Sequence, residues 1–176
     1  MFMDNQWFRA VLGHVPTAVT VVTGLDADGQ PVGFSCGSFF SVSLDPRLVG
    51  FCVALTSTSW PRFIRSGFCV NVLAEDQRLL SGKFAASGSD KFAGVAWQPG
   101  RSGRPQLTKA LAWIDCTTAD IRRAGDHMLV IGSVEQLALN PSLPKPLVFH
   151  CGGYQTVAEP QSAPPARLLT GTPSAD

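Results

Sequence analysis

Gly33-Phe-Ser-Cys-Gly-Ser-Phe-Phe-Ser-Val-Ser-Leu-Asp-Pro46 sets four hydroxyls (Ser35, Ser38, Ser41, Ser43) and two adjacent aromatics (Phe39, Phe40) between two apolar runs that read as strands. Small residues such as Ser35, Cys36, Gly37 and Ser38 let a backbone approach a flat ligand closely. Backbone N–H groups can then bond a heterocycle, and hydroxyls can reach its carbonyls or a phosphate. A second hydroxyl cluster, Thr56-Ser-Thr-Ser59, follows the next apolar run and precedes Trp60-Pro61. A hydroxyl-rich helix start is suited to a phosphate. Each feature has a plainer reading. Serine-rich strand ends are ordinary in barrels, and Ser57 or Ser59 can simply cap a helix.

Outward from this stretch the chain is rich in strands. Ala18-Val-Thr-Val-Val-Thr23 is β-branched, and Asp28-Gly29 is a turn signal that returns the chain from Val32 as a hairpin. Leu48 to Leu55 reads as a strand buried on both faces, and Phe68 to Leu73 as another. Two long strands, Ala110–Thr118 and His127–Val134, flank a turn at Arg123–Asp126, and Leu147–His150 is a last short one ending at Gly152-Gly153-Tyr154. Short helices are expected at Ser59–Arg65 and Asp76–Leu80, the second interrupted by Gly82. A third begins at an Asp4 cap and places Trp7, Phe8, Val11 and Leu12 on one face. Ala85 to Pro105 reads as a long loop. The expected fold is mainly β with short peripheral helices, an antiparallel barrel closed to remove free edges. One domain spans residues 1–158, and the Pro-, Ser- and Ala-rich stretch 159–176 reads as a disordered tail.

Composition narrows the function classes. The 176 residues are 45% apolar and 15% charged, with a net charge of +1, so no basic field is present to hold nucleic acid. Apolar runs are too short to span a membrane, and the N-terminus lacks the order of a signal peptide. Five cysteines without a CxxC pair read as small buried hydrophobes in a reducing cytoplasm. His14, His127 and His150 are scattered in sequence, so no metal site is expected. A flat-ring site followed by a phosphate site points to a mononucleotide, with flavin first. No GxGxxG follows a strand, so a Rossmann dinucleotide domain is not expected.

The chain resembles the flavin reductase-like family with a split-barrel FMN-binding fold, a Greek-key-like antiparallel barrel. It is most similar to the small reductase components of two-component flavin monooxygenases acting on aromatic compounds. The resemblance covers Phe8 to about Tyr154. It rests on Thr20-Val-Val-Thr23, Ser38-Phe-Phe-Ser-Val-Ser-Leu-Asp-Pro46, Gly67-Phe-Cys-Val-Asn-Val-Leu73, Asp76-Gln77, Lys83-Phe-Ala85, Asp90-Lys-Phe92, Gly125-Asp-His127 and the terminal Gly-Gly-Tyr154, in that order. The chain departs from the family at Gly37, where Asn or Thr is frequent, and at Arg47, where Pro is usual.

The resemblance implies reduction of FMN or FAD by NADH or NADPH, a homodimer with flavin near the subunit interface, and a separate monooxygenase that receives reduced flavin. Its cofactor-binding residues would be Ser35, Cys36, Gly37, Ser38, Phe39, Ser41, Val42, Ser43, Ser57, Ser59, Phe84, Lys91 and Tyr154. Ser57 and Ser59 would take the phosphate, with Lys91 as counter-charge. His127 would meet the nicotinamide or the reduced flavin. Tyr154 has two open roles, capping the nicotinamide pocket or packing across the dimer. Hydride transfer needs alignment rather than a protein acid or base. The competing readings are a flavin-holding carrier or sensor without NAD(P)H turnover, and a barrel binding another planar group such as haem, with His14 and His150 as iron ligands.

Overall fold

The computed structural model describes residues 4–88, 90–142 and 145–158. In chain order these form α1 (Asn5–Leu12), β1 (Thr17–Ala18), β2 (Thr20–Leu25), β3 (Pro31–Cys36), β4 (Phe40–Leu44) and β5 (Arg47–Ala54). A 3-10 turn (Trp60–Arg62), β6 (Phe68–Val72), α2 (Arg78–Ala85), β7 (Trp97–Pro99) and β8 (Pro105–Leu107) follow. The chain then continues through β9 (Ala112–Ala124), β10 (His127–Leu139), β11 (Leu147–His150) and β12 (Gly153–Thr156).

Seven strands make the main sheet in the order β3-β2-β6-β9-β10-β5-β4, with every neighbouring pair antiparallel. The β-branched run in β2 shows why its sequence lacks polar alternation. Successive side chains point to opposite faces of a strand, and here both faces are covered. Val22 enters a core with Phe34, Phe51, Trp60, Phe63 and Phe68, whereas Val21 enters a second with Leu73, Phe84, Phe92 and Leu107. The first core is knit by edge-to-face rings: Phe51 lies 5.2 Å from Phe68 at 83°, and 5.5 Å from Trp60 at 89°. Such pairs add about 0.5–1.5 kcal/mol each beyond area burial. Gly24 of β2 is required by this packing, because a Cβ there would lie 2.4 Å from the Phe63 ring.

The mainly β, antiparallel expectation holds, but the strand ladder does not close on itself among the described residues: β3 and β4 are the two edges of the main sheet. No backbone ladder joins β3 to β5 among the described residues; a side chain spans the gap. Ser38 Oγ accepts from the Cys52 N–H at 2.8 Å and donates to the Cys52 carbonyl at 3.1 Å. A hydroxyl thereby replaces the ladder bond that two adjacent strands would make.

Several elements differ from the sequence reading. The 85–105 stretch contains β7, which pairs with β8 through Trp97↔Leu107, so it is not wholly a loop. Helix α2 runs through Gly82 to Ala85. Glycine costs about 1 kcal/mol in a helix, and burial of a Phe side chain, Phe84 here, offsets it by roughly 1.5–3 kcal/mol. Strands β9 and β10 extend to 13 residues each, beyond the expected ends at Thr118 and Val134. The helix expected at 59–65 is a single 3-10 turn. Helix α1 forms where expected, with the Asp4 carboxylate accepting from Gln6 N–H at 3.1 Å. Its apolar face is uncovered, with Trp7 66% and Phe8 51% exposed. Residues 159–176, expected to be a disordered tail, lie outside the described residues. No helix among the described residues is long and apolar enough to cross a membrane.

Candidate functional site

The inner end of β3, the end of β5 with the hydroxyl segment after it, the C-terminal end of α2 and the first residue of β10 converge on one open groove of about 650 Å³. Its floor is apolar: Phe34, Val53 and Phe84 are all buried. Its rim carries Ser35, Thr56, Ser57, Thr58, Ser59, Ser87, Lys91 and His127. No carboxylate lines it among the described residues.

The rim has one cationic end. Lys91 Nζ donates to the Phe84 carbonyl at 2.9 Å, which draws the ammonium toward the end of α2. Burial lowers the Lys91 pKa. An incoming anion would reverse that, since an opposite charge favours the charged form. Ser57 Oγ accepts from Trp60 N–H at 3.2 Å, so it caps the 3-10 turn while facing the groove. Ser59 is buried and lines both this groove and an adjoining cavity of about 260 Å³ that Lys91 also lines.

His127 stands at the start of β10, opposite Ala54 of β5. Its Nδ1 lies 2.7 Å from Asp126 Oδ1. That hydrogen bond is the main cause holding the Asp126 carboxyl below the usual carboxylate range. With Nδ1 engaged, Nε2 is the ring's second nitrogen for a ligand.

The structure divides the other expected site residues. Ser35 lines the groove, and its Oγ lies 3.5 Å from Ser81 Oγ. Phe84 is fully buried, stacked edge-on against Phe92 at 5.1 Å, and contributes to the groove as part of the core. Cys36 points into the core, and burial raises its thiol pKa. Burial likewise pushes the Cys116 thiol up to about 12. Ser38 closes the seam, and Phe39 packs against the first core. Ser41, Val42 and Ser43 lie on the edge strand β4 and are not brought to the groove. Gly37 and Tyr154 meet instead at a cavity of about 200 Å³ that Ser35 and Ser81 share. There the Tyr154 hydroxyl donates to Ser81 Oγ at 2.9 Å, linking β12, α2 and β3.

Thr56, Thr58, Ser87 and Gly88 line the groove without having been singled out. The hydroxyl run pointed to the first two. Ser87-Gly88 carried only a loop signal. Although the histidines are scattered in sequence, the fold brings His14 and His150 together with Cys151, while His127 stays apart.

A flavin reductase like domain matches residues 12–158. The chain belongs to the flavin reductase-like family. It is 47% identical over 153 residues to a flavin reductase of Pseudomonas putida, covering 86% of this chain and 89% of that one. To the reductase subunit HsaB of a flavin-dependent monooxygenase of Mycobacterium tuberculosis it is 46% identical over 166 residues, covering 93% and 88%. The crystal structure of a nitrilotriacetate monooxygenase component B homologue from Mycobacterium thermoresistibile matches with a TM-score of 0.86 at 41% identity, covering 98% of each chain.

Proposed function

We propose that this chain is an NAD(P)H:flavin oxidoreductase that reduces FMN or FAD and supplies reduced flavin to a separate monooxygenase. The observation that carries this reading is the groove itself. An apolar floor, a hydroxyl- and lysine-bearing end without carboxylates, and His127 on the rim share one opening. This donor set fits a flat ring bearing a phosphate. Thr56, Ser57, Thr58 and Lys91 would hold the phosphate, and Ser35 the ring edge or ribityl chain. When bound, flavin supplies the hydride-accepting chemistry. The chain's own part is to exclude water with Phe34, Val53 and Phe84 and to orient the donor with His127, whose ring is steadied by Asp126.

The open groove suits a flavin that leaves after reduction, which favours a reductase over a carrier that keeps its flavin. The uncovered apolar residues of α1, together with Phe40, Val42 and Leu44 of β4, support a homodimer. In that dimer Ser41, Val42 and Ser43 would face the second subunit, near its flavin. Five free thiols suit a cytoplasmic setting.

The test is anaerobic. A catalytic amount of protein is mixed with excess FMN and then NADH, and the flavin absorbance is followed. Rapid bleaching is expected, and repetition with FAD and NADPH fixes both preferences. Flavin binding without bleaching would favour the carrier reading.

A further inference from the structure

The turn between β11 and β12 has an unusual occupant. His150 pairs with Gly153, which leaves Cys151 and Gly152 as a two-residue hairpin turn. Both have positive φ, 49° at Cys151 and 76° at Gly152. This is the type I′ pattern, whose first position favours Asn, Asp or Gly. Any other side chain held in the left-handed region is strained, because its Cβ crowds the following carbonyl.

The surroundings of that thiol are built by long-range contacts. Cys151 N–H donates to the Gly13 carbonyl at 2.8 Å, which ties the turn to the end of α1. His14 is thereby delivered beside it. Cys151 Sγ lies 3.3 Å from His14 Nδ1 and 3.4 Å from His150 Nε2. The ligand atoms of the three side chains all lie within 4.8 Å of one another. His14 and Cys151 are exposed and His150 is half-buried, so an ion can enter from solvent. None of the three lines the candidate flavin groove.

We propose that His14, His150 and Cys151 form a site for one thiophilic divalent ion of the zinc class, with water as the fourth ligand. Zinc binds thiolate at about 2.3 Å and imidazole nitrogen at about 2.0–2.1 Å in tetrahedral geometry, which sets the S···N edges at about 3.5 Å. The two observed edges, 3.3 and 3.4 Å, are close to that value. One thiolate and two imidazoles are soft-to-borderline donors, so the site discriminates against magnesium and calcium. Binding displaces the thiol proton to solvent and leaves the metal's oxidation state unchanged. The bound ion would clamp the end of α1 to the hairpin that carries Tyr154.

The test uses the full chain freed of metal with a chelator and titrated with cobalt(II) alone, then with zinc. One equivalent of cobalt is expected to give a thiolate-to-cobalt charge-transfer band and the intense visible bands of a four-coordinate centre. Zinc should displace it mole for mole. Cys151→Asn should abolish the charge-transfer band. Asparagine suits the left-handed turn, so an unchanged circular dichroism spectrum would show that the loss is not a folding defect. His14→Ala and His150→Ala should each weaken zinc binding by tenfold or more. The proposal is overturned if the wild-type chain gives no thiolate band at one equivalent, if the band survives Cys151→Asn, or if zinc binds both histidine variants as tightly as wild type. The three side chains would then be a hydrogen-bonded cluster only.

Discussion

Ser38→Ala separates a ligand from a structural clasp. The Ser38 hydroxyl makes two hydrogen bonds to the backbone of Cys52, at 2.8 and 3.1 Å, across the gap between β3 and β5. Alanine removes both and leaves the Cys52 N–H and carbonyl without them. Two net hydrogen bonds amount to about 2 kcal/mol, and a stranded amide adds up to about 1–3 kcal/mol where water cannot reach it. Ser38 and Cys52 are both half-buried, so water recovers part of that second contribution. The expected loss is therefore about 2–3 kcal/mol. For a chain of this length each kcal/mol moves the melting temperature by about 2–4 °C, so a fall of roughly 4–12 °C is expected. The assay is urea and thermal unfolding of the flavin-free protein at fixed protein concentration, with the denaturant slope unchanged. Cys52 also lines the groove, so flavin affinity should fall as a secondary effect. Unchanged stability of the flavin-free variant, together with weakened flavin binding, would refute this reasoning and make Ser38 a direct ligand.

Three further outcomes are expected. Lys91→Met should weaken FMN about 10- to 100-fold, the value of a charge-assisted hydrogen bond, and leave riboflavin binding unchanged; equal losses for both in a fluorescence titration would remove the phosphate role. His127→Ala should lower kcat/KM for NADH by about 10- to 100-fold with the melting temperature within about 2 °C of wild type; steady-state kinetics with an unchanged kcat/KM would remove the residue from the site. The Asp126 carboxyl is held low chiefly by its hydrogen bond to His127. Its contribution to stability is present above the ordinary carboxylate value and is lost as pH falls through the lowered folded value. NMR titration should show that lowered value, and His127→Ala should return it toward normal.

What the sequence disclosed follows the range of the forces involved. β2, β5 and β6 were legible because burial of their side chains writes itself as β-branched and aromatic runs. The hydroxyl run at 56–59 was legible because it sits beside the structural element it caps. Ser38 was not, since its partner Cys52 is fixed by the curl of the whole sheet rather than by neighbours in the chain. The hairpin of β7 and β8 has only three residues per strand, too short for a period to appear. Amphipathicity placed α1, but its apolar stripe says that something covers it and not what. The His14–Cys151 pair spans 137 positions and is brought together by the β1–β11 ladder and by the Cys151 N–H bond to the Gly13 carbonyl, neither of which leaves a local signal in the sequence.

The groove lies where the core reaches the surface, and this divides its residues into two kinds. Phe34, Val53 and Phe84 are core members that also form the groove floor. Thr56, Ser57, Thr58, Ser87 and Lys91 form the rim, and none of these five side chains belongs to either core. Truncating a floor residue must therefore change stability and flavin binding together, because Phe→Ala in a core costs about 3–5 kcal/mol. Removing a rim side chain can change binding alone. Ser38 and Ser35 occupy the boundary between these groups. Ser38 is bonded to the strand that supplies the floor, and Ser35 contacts Ser81, which is bonded in turn to Tyr154. Through these two serines the groove depends on β3 at one edge of the main sheet and on β5, which lies just inside the other, so its shape should persist only while the β3–β5 seam is held.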